Sequence, residues 1–429
     1  MDSARHEERR LLAARGLRAL ADGCVAVLLP TYLLALGHDA FAVGVLATAA
    51  LLGSALATLA LGAFGHRWPV RRLLPAAALL MAATGFGFGA LGAFSAFWPL
   101  ALVAFVGTLN PSAGDVSVFV PLEHARIAAR FAGDARTRAF ARYTIVGSLA
   151  AAFGALLAGV PAWLAASDVL DEVAAMRAMF MLYGLIGLLV WALYRRLPGA
   201  APGGNRQRVG GGGGEGVPAA DAATQRHRPL GPSRPVVLRL ALLFGVDAFA
   251  GGLVLNSLLA LWLATRFGFD AGTAGAFFFW AGLLTTASQW LAPRLAERIG
   301  LVNTMVFTHV PANLCLIGAA FAPSLPLALA LLFVRSALSQ MDVPTRSAFV
   351  MAVVTAAERP AAASFTAAPR SLAAALSPAL GGALFAAGAL AAPLALCGVL
   401  KLGYDLALWR AFRRHEMPAG DGETGNRSP

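Results

Sequence analysis

The chain has 429 residues, 58% hydrophobic and only 13% charged, with a mean hydropathy of +0.69. A soluble domain carries roughly 25% charged residues because its surface meets water, so much of this surface meets something else. The formal charge of +12 and the pI near 10.9 raise the question of nucleic acid. However, the arginines sit in short stretches between apolar runs without a basic, aromatic-interleaved stripe, and a nucleic-acid partner is set aside.

In chain order, residues 1–16 are charged and precede an apolar run too long for a signal peptide and without a small-residue cleavage site. They are expected to form a cytoplasmic segment ahead of an uncleaved first helix. About 20 apolar residues cross a bilayer, and such runs fall near 17–37, 42–64, 71–94, 98–121, 139–162 and 176–195. After a break they recur near 237–264, 272–293, 302–322, 326–350, 361–386 and 390–409. The expected fold class is an all-α membrane protein of twelve transmembrane helices in two six-helix bundles, 17–197 and 236–412. Residues 198–235 are Gly/Pro-rich without periodicity and read as a disordered cytoplasmic linker, with 413–429 as a cytoplasmic tail. The linker's glycine run lacks both a preceding strand and a following G-K-[ST], so it is no phosphate loop.

Arginine placement predicts orientation. Arg5, Arg9, Arg10, Arg15, Arg67, Arg71, Arg72, Arg126, Arg130, Arg136, Arg138, Arg294, Arg298, Arg359, Arg413 and Arg414 all fall on one set of alternating segments. The other set is nearly bare, Arg177 and Arg266 excepted. Both termini are therefore expected in the cytoplasm, and twelve spans satisfy that parity. Cys24, Cys315 and Cys397 are far apart in apolar runs and form neither a metal spacing nor a disulfide framework.

The two halves repeat each other, as parallel transporter repeats do. LRALADG (17–23) with Asp22 parallels LALLFGVDA (240–248) with Asp247; GDVSVFV (114–120) with Asp115 parallels MDVPTRSAFV (341–350) with Asp342. The intervals between the paired aspartates agree to within two residues. GSLAAAFGALLAG (147–159) likewise parallels RSLAAALSPALGG (370–382). GAFGHRWPVRR (62–72) resembles the G-x-x-x-D-R-x-G-R-R signature of the major facilitator superfamily, and PRLAERIG (293–300) is its second copy. His66 stands at the acidic position, Pro69 at the second glycine and Pro293 at the first glycine of the second copy, whereas Glu297 and Arg298 keep the acid–base pair. Arg335 resembles an intramembrane arginine of the family, placed here in span ten, and SPALGG (377–382) resembles an antiporter stretch.

The resemblance implies two bundles that rock around a central cavity lined by spans one, four, seven and ten. It also implies a latch on the cytoplasmic side formed by Gly62, His66, Arg67, Arg71, Glu297 and Arg298. Ionised side chains in hydrocarbon are costly unless they face water or pair, so Asp22, Asp115, Asp247, Asp342, Arg335 and Arg370 are the candidates for proton coupling and for lining the cavity. Arg335 and Asp342 are spaced to share a helix face, and Asp247 or Asp342 is the expected proton carrier with Arg335 modulating it. The alternative for Asp22 and Asp115 is a helix cap or a structural latch holding Arg18 or Arg142, and for Asp247 and Asp342 a purely architectural charge pair. Arg370 either binds an anionic solute or ties span eleven to an acid. Tyr32, Asn110, Asn256, Gln289 and Gln340 are candidate solute contacts, with helix–helix hydrogen bonding as the competing role. His309 and Asn313 share a face and read as structural, while the FFFW run at 277–280 and Trp262 read as lipid-facing or interfacial aromatics.

No catalytic spacing, Walker sequence or metal motif occurs, so neither an enzyme nor a cofactor is expected. The function implied is secondary active transport of a small solute by alternating access, coupled to protons. Drug or toxicant efflux against protons and organic-anion uptake with protons both remain open. A transport-inactive sensor or scaffold is the reading outside transport. A membrane-embedded enzyme would need catalytic groups clustered at one interface. The expected partners are the solute, protons and the lipid bilayer of a bacterial inner membrane, with the protein monomeric.

Overall fold

The computed structural model describes residues 2–64, 67–113, 117–131, 133–197, 231, 233–354 and 358–413. Inside a bilayer every backbone polar group needs an internal partner, which a helix supplies from its own segment. The first half accordingly runs α1 (Asp2–Ala35), α2 (Ala40–Phe64), α3 (Val70–Leu91), α4 (Phe97–Val106), α5 (Phe119–Arg130), α6 (Gly133–Leu156), α7 (Val160–Ala166) and α8 (Glu172–Arg195). The second half runs α9 (Arg234–Gly252), α10 (Asn256–Phe267), α11 (Ala271–Ile299), α12 (Leu301–Ala320), α13 (Leu325–Leu338), α14 (Asp342–Ala352), α15 (Arg359–Ala386) and α16 (Ala392–Phe412).

Eight of these stretches are long and apolar enough to cross a membrane unaided, counting α9 and α10 as one span broken at 253–255. The fourth and tenth spans are each assembled from two short pieces, α4 with α5 and α13 with α14. The eighth and eleventh, α11 and α15, are 29 and 28 residues long but less apolar. The result is twelve spans in two pseudo-symmetric six-helix bundles. Three spans begin at an aspartate whose side chain accepts a backbone N–H of the first turn: Asp39 from Ala42 (2.9 Å), Asp171 from Ala174 (2.9 Å) and Asp270 from Thr273 (2.6 Å).

The charged start of the chain is not a separate segment. It is the first turns of α1, with Glu7, Leu11 and Ala14 buried. Glu7 receives Arg126 Nε at 2.8 Å and Arg130 Nε at 2.6 Å, which fastens α1 to α5.

The start of α1 and the end of α8 lie on one side, where Arg10 donates to the Arg196 carbonyl. The start of α9 meets the end of α16 through Val237 and Phe412. On the opposite side the two bundles touch. A Cβ on Gly44 of α2 would overlap the Pro378 carbonyl of α15, and Gly382 faces Gly44 just as closely. Thr48 Oγ1 accepts the Ala379 N–H at 3.0 Å. Beside this seam α6 meets α11 through Phe153 and Phe279, whose ring centroids are 5.1 Å apart. The contact stops partway: the buried residues of α2 end at Ala55, and Leu56, Leu59 and Phe64 beyond it are exposed. The molecule is thus sealed on the far side and open on the side of the termini. One aromatic expectation fails. Trp262 is fully buried and Phe277 and Phe278 are buried with it, because they face neighbouring helices; only Trp280 of this group is strongly exposed.

Candidate functional site

The polar residues of the second half converge where α9, α14 and α16 meet. Asp247 on α9 is buried and receives Arg346 Nη1 at 3.0 Å and Lys401 Nζ at 2.5 Å. Asp342 opens α14, and one helical turn later on the same face Arg346 reaches back to it at 3.3 Å. Two carboxylates therefore share one guanidinium, and a single ammonium completes a balanced set of four charges. Tyr404, one turn beyond Lys401 on α16, is buried beside them. Behind this group Asp405 accepts from Asn313 Nδ2 at 2.9 Å and lies 2.9 Å from His309 Nδ1. His309 and Asn313 are joined by that one carboxylate, which ties α12 to α16.

In the first half Asp22 is buried on α1 and takes a 3.3 Å contact from Tyr183 Oη and a side-chain hydrogen bond from Asn110. Tyr183 Oη also lies 3.2 Å from the Thr108 carbonyl. Arg18, one turn before Asp22, pairs not with it but with Glu123 of α5. Glu123 is completely buried and accepts from Tyr143 Oη at 2.6 Å and Tyr194 Oη at 2.7 Å. Arg142 pairs with Glu8 at 3.2 Å on the surface. Asp115 lies outside the described residues.

The other sequence candidates separate. Arg335 is half-buried on α13 with no acidic partner among the described residues; the turn at 339–341 interrupts the helix face it would share with Asp342. Arg370 on α15 is exposed, with no hydrogen bond or ion pair among the described residues, within electrostatic range of Arg346, Asp247 and Asp342. Tyr32 is fully buried, donating to the Phe88 carbonyl at 3.0 Å and packing on Phe180. Asn110 accepts from Ser112 N and Oγ at the break in span four. Across that break Ser257 N donates to the Pro111 carbonyl at 3.2 Å, so the broken fourth and seventh spans meet between the bundles. Asn256, Gln289 and Gln340 are half-buried without a side-chain hydrogen bond among the described residues. Of the latch residues, His66 lies outside the described residues, and Gly62, Arg67, Arg71, Glu297 and Arg298 are exposed on the open side.

Sequence reading did not single out Arg346, Glu123, Asp405, Tyr183, Tyr194, Tyr404 or Lys401, the sole lysine of the chain. Signals were present: Arg346 follows Asp342 by four residues, and a lone lysine within an apolar run is itself an intramembrane charge.

The comparisons agree with this architecture. An uncharacterized membrane protein of Saccharomyces cerevisiae, YJR124C, is 24% identical over 373 residues, covering 82% of each chain. The inward-open xylose transporter XylE of E. coli superposes with a TM-score of 0.70 at 15% identity, over 96% of this chain and 97% of that one. The human organic anion transporter MFSD10 (TETRAN) superposes at 0.58 and 18% identity, over 94% and 99%. A family model for the Major Facilitator Superfamily matches residues 11–341, and the chain belongs to that superfamily.

Proposed function

We propose that this protein is a secondary active transporter of a small solute, working by alternating access and coupled to protons through Asp247 and Asp342. The observation that carries this reading is the buried set of Asp247, Asp342, Arg346 and Lys401. Four charges in an apolar bundle persist because they pair, and pairing that depends on one shared guanidinium is easily rearranged. Protonating Asp247 leaves Arg346 and Lys401 with a single carboxylate between them. Arg346 then moves wholly to Asp342, and Lys401 is freed toward the cavity. Two states of the bundle that differ in this pairing respond differently to the proton, and such a difference is what shifts a population between conformations.

The scaffold supports the cycle. The glycine seam between α2 and α15 supports opening and closing on the far side, and the discontinuous fourth, seventh and tenth spans supply polar backbone near the middle of the bundle. The arginine bias supports a cytoplasmic open side, and the proposed setting is a bacterial inner membrane with the protein as a monomer. The structural neighbours share the fold at low identity, so the solute has to be argued from this chain's own residues.

The test is flux in liposomes loaded with a pH dye, challenged with anions, sugars, amino acids and lipophilic cations. A solute-dependent pH change is expected, abolished by Asp247→Asn or Asp342→Asn, with its sign separating symport from antiport. Solute flux without any pH change overturns the coupling and leaves the aspartates structural.

A further inference from the structure

We infer that the solute is a small organic anion, a carboxylate or phosphate monoester, and that Arg370 is the group that binds it. This rests on the transport reading above. The cations around the tetrad are otherwise committed: Arg346 is divided between Asp247 and Asp342, and Lys401 is held by Asp247. Arg370 is the surplus. It has no ion pair or hydrogen bond among the described residues, and repulsion by Arg346 is the largest influence on it, offset in part by Asp247 and Asp342.

Its position is that of a binding group rather than of a surface charge. α15 packs against α2 of the other bundle and against α9, the helix of Asp247. Arg370 sits eight residues before Pro378, so about 12 Å from the Gly44–Pro378 contact toward the open side at 1.5 Å per residue. There it lies among other helices yet exposed, so unfilled space adjoins it. A second donor lies in the same neighbourhood: Tyr404 Oη is buried, close enough to sense Arg370, and has no hydrogen-bond partner among the described residues. A guanidinium without an ion-pair partner among the described residues and a hydroxyl free to donate form a donor-rich site. Such a site stabilises an acceptor carrying negative charge and repels a cation. The guanidinium fork matches a carboxylate or phosphate monoester bidentately.

Arg335 is the competing cation, but among the described residues its only electrostatic neighbour is the Cys397 thiol, and it lies off the tetrad. The cavity between α2, α3 and the break in span four, about 220 Å³, is lined by alanine, leucine and a few hydroxyls and carries no charge to recognise such a solute.

The experiment is ligand-dependent thermal stabilisation of the purified full chain in detergent, with benzoate, succinate, phenyl phosphate, chloride, glucose and tetraethylammonium as probes. Benzoate, succinate or phenyl phosphate should raise Tm at millimolar concentration, and which of them does so separates carboxylate from phosphate recognition. Arg370→Gln should weaken that response at least tenfold, Arg370→Lys should retain part of it, and Arg266→Gln on the far side should leave it unchanged. Without ligand, Arg370→Gln should melt no lower than the wild type, because it relieves repulsion with Arg346. The inference is overturned if chloride alone stabilises, if glucose or tetraethylammonium stabilises instead, if no anion does, or if the anion response survives Arg370→Gln. Binding is read without flux, so the two readings fail separately. Arg370-dependent anion binding without transport keeps this site and sinks the carrier, whereas transport of a neutral solute indifferent to Arg370 does the reverse.

Discussion

Both halves bury a charged cluster at the heart of the bundle, but the clusters are closed in different ways. In the first half one carboxylate, Glu123, is surrounded by Arg18 and the hydroxyls of Tyr143 and Tyr194, and every partner comes from a different helix: α1, α6 and α8 converge on α5. In the second half two carboxylates share two cations, while among the described residues a third cation has no ion-pair partner and a tyrosine hydroxyl is unused. The repeat explains how the same scaffold diverged. The residue four before Asp22 is Arg18, whereas the residue four before Asp247 is Leu243. The residue four after Asp342 is Arg346, whereas the residue four after Asp115 is Phe119. The cation moved from the first helix of one repeat to the fourth helix of the other. The first half holds a saturated knot suited to rigidity, and the second a set of exchangeable pairs suited to change.

The largest expected effect separates the two clusters directly. Glu123→Ala leaves Arg18 buried without a counter-charge, and breaking a buried pair this way costs about 3–5 kcal/mol. The variant should fail to yield folded, monodisperse protein or should melt far below the wild type. Asp247→Asn leaves Arg346 its second partner, Asp342, and offers Lys401 an amide oxygen, so it should stay folded and lose coupling. If both variants unfold alike, the contrast between rigid and exchangeable clusters is wrong.

Next in size is the hydroxyl of Tyr194. It donates to a buried carboxylate at 2.7 Å, and hydrogen bonds to charged groups contribute about 1.5–3 kcal/mol. Tyr194→Phe should lower Tm measurably while leaving solute binding at the second half's cluster unchanged. A variant as stable as the wild type would show that Arg18 and Tyr143 suffice to hold Glu123.

A third expectation concerns the seam on which both halves turn. Gly44→Val inserts side-chain atoms where the Pro378 carbonyl now lies, and overpacking costs about 1–3 kcal/mol. Because only the far-side-closed conformation has this contact, the variant should shift the population toward far-side opening. A maleimide that cannot cross the membrane should then modify Thr48→Cys, which is packed in the seam, at least tenfold faster in the Gly44→Val background, with Cys315→Ala present in both. Equal labelling rates would mean that the seam yields without opening.

The fold was legible because bilayer solvation leaves a coarse record: apolar runs of spanning length, arginines on alternate segments and a doubled motif. The acids Asp22, Asp247 and Asp342 were visible for the same reason, since a charge in an apolar run stands out. Their partners were harder to see. Glu123 and Arg346 lie toward the ends of their spans, among other polar residues, so nothing local marks them as buried. Whether Arg18 turns to Asp22 or Glu123 depends on where α5 packs after the break in span four, and no periodicity encodes that. Arg335 was paired with Asp342 on a helix face interrupted by the turn at 339–341. Trp262 was assigned to lipid because an apolar aromatic reads alike whether it faces acyl chains or a neighbouring helix.

The smallest expected effect is the most discriminating. Tyr404 occupies in the last span nearly the place that Tyr183 occupies in the sixth, each beside the aspartate of its own half. Tyr183 has acceptors in Asp22 and the Thr108 carbonyl. The hydroxyl of Tyr404 is buried without one among the described residues, and removing an unsatisfied polar group is nearly neutral or stabilising. Tyr404→Phe should therefore change the unliganded Tm by less than about 0.5 kcal/mol equivalent or raise it, whereas Tyr183→Phe should cost about 1 kcal/mol. With an anion present the order should reverse. A hydroxyl that waits for a ligand oxygen loses that bond in Tyr404→Phe, so stabilisation by benzoate, succinate or phenyl phosphate should shrink there and stay whole in Tyr183→Phe. A Tyr404→Phe variant that is destabilised without ligand would show that the protein itself already satisfies this hydroxyl, and the second half would then be as closed as the first.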